Sequence, residues 1–127
     1  MTYNVIGCAM KTHNTLGYGF THFFKLIFNG IRECFAVQEV IPQRCLAIEL
    51  EKAIIDFKRE VEQTIYNEGI EVGTRRADFV VQSCLIIEIK AVINLEDVHL
   101  AQVKNYLVAY NFEKGLLINF GSTKLQY

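Results

Sequence analysis

The sequence predicts an α/β protein with a mixed central sheet flanked by helices. Amphipathic helical patterns open the chain. Three strand-like runs then follow as a meander through residues 58–90, and another helical pattern separates these from one last apolar strand at 115–120. Strands joined by tight turns pair antiparallel. A helix between the third and last strands permits a right-handed crossover to a parallel neighbour, which makes the sheet mixed.

At 127 residues and 51% hydrophobic, the chain suits a single domain, 1–127, with a modest core. No secretory leader pattern is present, and no uncharged apolar run reaches the ~18–20 residues of a membrane span, so the expectation is a soluble, cytoplasmic protein with no membrane partner. The 13 basic and 14 acidic residues give a net charge of −1. That balance excludes the strongly basic footprint of a constitutive nucleic-acid binder and leaves a local strip from Lys58, Arg59, Arg75, Arg76, Lys90 and Lys104. Cys8, Cys34, Cys45 and Cys84 are far apart among apolar neighbours and read as buried thiols. His13, His22 and His99 have no zinc-site spacing.

Val5, Ile6, Ala9, Met10, His13 and Leu16 recur at helical steps up to the break Gly17-Tyr18-Gly19. The phenylalanine-rich segment 20–37 suits either helical turns around Asn29-Gly30 or a strand, and its apolarity needs a partner surface. Pro42 is acceptable in a first helical turn, and Leu46, Glu49, Leu50, Ala53 and Ile54 carry a helix to about Ile55. Glu49 lies near the stripe, either at its edge or aimed at the sheet. Residues 58–65 alternate as a half-exposed strand. Tyr66-Asn67-Glu68-Gly69 turns the chain into 70–72, and Gly73-Thr74 leads into a hairpin. Asn94 is the expected cap of a helix to about Tyr110, with Val98, Ala101, Gln102, Tyr106, Leu107 and Tyr110 along one stripe. A glutamine on that stripe is most simply satisfied by local backbone.

The hairpin 76–90 holds the chemistry. Residues 77–81 and 85–89 are apolar runs around Gln82-Ser83-Cys84. With Ser83 at the turn centre, Asp78 faces Glu88 and Arg76 faces Lys90, and Glu88 and Lys90 share a face with Asp78. Facing Cβ atoms are about 4.5–5.5 Å apart, so two carboxylates there need a proton or a cation between them. A divalent metal resolves the conflict.

An aspartate on one strand, Glu88-x-Lys90 on its partner and Gln102-x-x-x-Tyr106 on the next helix resemble the PD-(D/E)XK nuclease superfamily, the last element its RecB-like branch. Arg76-Ala77-Asp78, Leu85-Ile86-Ile87-Glu88-Ile89-Lys90-Ala91, His99 to Leu107 and Gly115 to Gly121, in that order, are similar to the small bacterial proteins named for a GxxExxY motif. Relative to them, residues 21–37 form an apparent insertion. Glu39 stands at the motif glutamate and Pro42 at its tyrosine, where proline disfavours helix just before it.

The resemblance implies a restriction-endonuclease-like core and hydrolysis of phosphodiester bonds, in DNA rather than RNA, by an endo- or exodeoxyribonuclease. Asp78 and Glu88 would hold Mg²⁺ or Mn²⁺, Lys90 would orient water and offset charge, Gln102 and Tyr106 would hold the lysine or a phosphate, and Glu49 or Glu39 would hold a water. The alternatives are a nuclease fold that binds nucleic acid or protein without cutting, and a degenerate member that associates with itself through 21–37.

Overall fold

The computed structural model describes residues 1–17 and 32–127, the side chains of 32–38 excepted. Among the described residues seven elements follow in order: α1 (Thr2–Leu16), α2 (Arg32–Lys52), β1 (Phe57–Asn67), β2 (Ile70–Val81), β3 (Leu85–Lys90), α3 (Asp97–Tyr110) and β4 (Lys114–Asn119). The sheet has the order β1-β2-β3-β4. The first two pairings are antiparallel, and β3 pairs with β4 in parallel across the α3 crossover. The expected α/β class with a mixed, helix-flanked sheet is therefore the observed one. The insertion 21–37 and the self-association assigned to it lie, as far as residue 31, outside the described residues.

Two apolar clusters define the layers. On one face Val5, Cys8 and Ala9 of α1 and Leu46, Ala47 and Leu50 of α2 pack on Phe79, Val81, Leu85, Ile87, Ile89, Leu116 and Ile118. On the other, Tyr106, Leu107 and Tyr110 of α3 cover Ala77, Val80 and Ile86. The five consecutive buried residues of β3, Leu85 to Ile89, follow from this sandwiching, since a strand covered on both faces has no solvent side to keep polar.

Several boundaries differ from expectation. Helix α2 runs through Pro42 instead of starting there. The proline removes the N–H that would bond the carbonyl four residues earlier, a cost of about 3 kcal/mol that the buried stripe after it offsets. That helix stops at Lys52, and Ile54 has a left-handed φ of 57°. Helix α3 starts after Glu96, not Asn94, because His99 reaches back and its Nδ1 accepts the Glu96 N–H at 2.9 Å. Its buried side chains are Val103 and Tyr106, while Val98 and Ala101 face solvent. Strand β2 passes through Gly73-Thr74 without a break. Cys84 is exposed in the hairpin turn, where an apolar neighbourhood in sequence does not become one in space. Among the described residues, no helix is long and apolar enough to cross a membrane.

Candidate active site

The β2–β3 hairpin turns on Gln82 and Ser83, both left-handed at φ 47° and 56°, and the Cys84 N–H closes it on the Val81 carbonyl at 3.1 Å. Pairing proceeds as expected through Val81↔Leu85, Val80↔Ile86 and Phe79↔Ile87. It then stops, and Asp78 and Glu88 do not continue the ladder. Instead the Asp78 N–H donates to Glu88 Oε1 at 3.3 Å, and the Ile89 N–H donates to Asp78 Oδ2 at 2.7 Å. Each carboxylate thus takes a backbone donor of the opposite strand, and the strands fork around the exchange.

Two residues apart on a regular strand, Ala77 and Phe79 would share a face. They do not: Ala77 packs under α3 and Phe79 under α1 and α2. Asp78 lies at this changeover. Its carboxylate reaches α2, where Gln43 Nε2 donates to Oδ1 at 2.7 Å. The expectation that Asp78 and Glu88 simply face one another on one side of a flat ladder is corrected accordingly, as is the facing of Arg76 and Lys90, which lie beyond the last pair.

Burial governs the electrostatics. Glu88 is 3% exposed. Desolvation first, and the Asp78 carboxylate second, push its carboxyl from 4.5 up to about 8, with Lys90 and the Asp78 N–H pulling the other way. Desolvation also raises Asp78, against the Ile89 N–H and the charges of Lys90 and Arg76. Glu39 belongs to the same cluster. Its carboxyl is raised by burial and by Asp78, and is held down by Lys90 and the Ala91 N–H. Four residues after it on α2, Gln43 is buried and touches Asp78, so one helical turn presents a carboxylate and an amide to the fork. Gln43 was not expected from the sequence. Its position one turn after Glu39, on the stripe leading to Leu46 and Leu50, was the available signal.

The other expected residues divide. Lys90 is half-buried, and its charge acts on all three carboxyls. Gln102 Nε2 donates to the Tyr106 hydroxyl at 3.3 Å, so its partner is this side chain rather than local backbone. Tyr106 is buried against Ala77, Val80 and Ile86, with the Arg75 guanidinium 5.6 Å over its ring. Glu49 is directed elsewhere: Lys52 Nζ binds its Oε1 at 3.0 Å. Of the candidate basic strip, Arg75 and Arg59 lie over aromatic rings, the latter 5.8 Å above Phe79.

A divalent cation fits this donor set in kind. Two carboxylates converge beside a third and a lysine, and a carboxyl pushed to about 8 marks a place where negative charge lacks compensation. The described residues contain no group of three or more His, Cys, Asp or Glu in metal-binding geometry. The pair Asp78 and Glu88 offers the hard oxygen donors that a divalent cation takes from a protein when waters complete its shell.

No curated protein matches the chain, and no solved structure matches it. A family model does, over residues 27–127, a stretch that includes every residue of the fork and of α3. With its mixed sheet, forked strands and converging acidic residues, the chain belongs to the PD-(D/E)XK nuclease superfamily.

Proposed function

We propose that the protein is a Mg²⁺- or Mn²⁺-dependent deoxyribonuclease of the GxxExxY branch, with Asp78, Glu88 and Lys90 as its catalytic core. The observation that carries this reading is the exchange of carboxylates across the fork, which brings two desolvated acids together beside a lysine. When bound, the divalent ion supplies polarisation of the phosphate and acidification of a water.

The protein's own groups do the rest. Asp78 is held by Gln43 on one oxygen and by the Ile89 N–H on the other, which fixes its direction and leaves a lone pair on each oxygen. Glu88, oriented by the Asp78 N–H, presents the second hard ligand. Lys90 offsets charge that grows on the phosphate oxygens in the transition state. Glu39, on the α2 side and within reach of the charges of Asp78 and Lys90, would orient a water, a role the resemblance gives to Glu49 or Glu39. Gln102 and Tyr106 form a polar arm on the α3 side of the same sheet.

The test is cleavage of single- and double-stranded DNA with Mg²⁺ or Mn²⁺ by the wild type, Asp78→Ala and Lys90→Ala. Loss of cleavage in both variants, with Mn²⁺ binding lost only in the first, is the expected result. Cleavage that survives both substitutions overturns the assignment. A wild type that binds DNA and gives no heat with Mn²⁺ would make it a non-catalytic nucleic-acid-binding module.

A further inference from the structure

Tyr110 was expected only as a member of the apolar stripe of α3, yet its hydroxyl lies inside the sheet. It accepts the Ala77 N–H at 3.0 Å and donates its proton to the Val61 carbonyl, with the Arg75 carbonyl 3.2 Å away. Val61 and Ala77 are register partners in β1 and β2, so a side chain from the helix bridges the two strands one residue before Asp78.

This is also where the pairing is irregular. The ladder has the same register on both sides, Val61↔Ala77 and Arg59↔Phe79, but no pair joins Glu60 to Asp78 between them, and Glu60 has a φ of 51°. A non-glycine residue in the left-handed region costs about 1 kcal/mol or more and persists only where its surroundings hold it there. On the opposite strand, β2 changes face between Ala77 and Phe79. The bend that turns Asp78 out of the ladder needs a fixed point just before it, and the hydroxyl is in the right place to be one. The ring is itself constrained. Tyr106 meets it edge-on at 6.3 Å and 85°, and Phe112 packs at 6.2 Å. The helix ends at left-handed Asn111, and the Phe112 N–H returns to the Leu107 carbonyl at 3.0 Å.

We infer that Tyr110 is a positioning residue: by bridging the Ala77 amide and the Val61 carbonyl, its hydroxyl holds the bend in β2 that directs the Asp78 carboxylate to Ile89 and Gln43. The inference rests on the reading of Asp78 as part of the active site. Of Gln102, Tyr106 and Tyr110, spaced four apart on α3, the first two bond each other, and Tyr110 bonds the backbone of the strand that carries Asp78.

Tyr110→Phe removes the hydroxyl and keeps the ring, so it separates positioning from packing. The direct readout is the Ile89 amide, whose proton points at Asp78 Oδ2. In the wild type its NMR resonance is expected downfield and slow to exchange. In Tyr110→Phe it should move towards its position in Asp78→Ala and lose about tenfold or more of its exchange protection. Phe112→Leu, which loosens the same cluster without touching the hydroxyl, should leave the Ile89 resonance in place even at an equal loss of Tm. An Ile89 resonance and protection unchanged in Tyr110→Phe overturn the inference. Should Tyr110→Phe fail to fold, 4-fluorophenylalanine at position 110 fills the hydroxyl's volume without donating, and the same outcomes decide. Mn²⁺ calorimetry on the wild type reports separately on the metal reading: its failure there would count against the proposed function, while the Ile89 amide still decides the role of Tyr110.

Discussion

The carboxyl of Glu88 makes the stability of the metal-free protein depend on pH in an unusual direction. Its folded value, about 8, lies above the ordinary 4.5, so the fold favours the protonated acid. The contribution is therefore fully present below about pH 4.5 and is lost progressively as the pH rises through about 8. At about 1.4 kcal/mol per pH unit, the fall over that window is up to about 5 kcal/mol. Asp78, also raised, acts in the same direction. Because a domain of this size has about 5–15 kcal/mol of stability in all, such a decline is large. Glu88→Gln isolates the effect, since the amide keeps an oxygen to accept the Asp78 N–H and cannot ionise. Urea unfolding in the presence of a chelator, from pH 5 to 9, should show the wild type losing stability while Glu88→Gln stays nearly level and is the more stable of the two at pH 8. Mn²⁺ at a hundred times its Kd should then restore about 2.7 kcal/mol to the wild type and nothing to the variant. Parallel curves for the two proteins from pH 5 to 8 would refute the claim that Glu88 is desolvated beside a second acid.

Two further outcomes follow from particular contacts. Gln43→Leu keeps the helix stripe and removes the donor to Asp78 Oδ1, so Mn²⁺ affinity measured by calorimetry should fall about 10–100-fold while the Tm changes little. Gly121→Ala would place a Cβ 2.5 Å from the Val92 nitrogen and 2.6 Å from the Ala91 carbonyl carbon, backbone atoms that cannot turn aside, so thermal melting should show a loss of about 3 kcal/mol or more.

What was legible in the sequence depended on whether a residue's role follows from its own strand or helix. The hairpin register could be read because alternation and turn length determine it locally, and it holds at all three observed pairs. Asp78, Glu88 and Lys90 stood out because charge is costly in a strand that is otherwise apolar on both faces. Glu39 was obscured by a local rule, the preference against helix before proline, which packing on the sheet overrides in α2. The fork itself left no local mark. It depends on polar side chains from other elements: Gln43 of α2 donates to Asp78, and the Tyr110 hydroxyl of α3 accepts the Ala77 N–H beside it. Periodicity assigns both residues to their helices' buried stripes and says nothing of the polar atom at the tip. A continued ladder would leave Asp78 and Glu88 as a facing pair within it. The interruption frees the Ile89 and Asp78 amides to meet carboxylates, and it lets one acid approach α2 while the other stays buried in β3. The end of the β2–β3 ladder before Asp78 and Glu88 is thus the structural condition for the candidate site, and the tyrosine at the end of α3 is bonded to β1 and β2 one residue before Asp78.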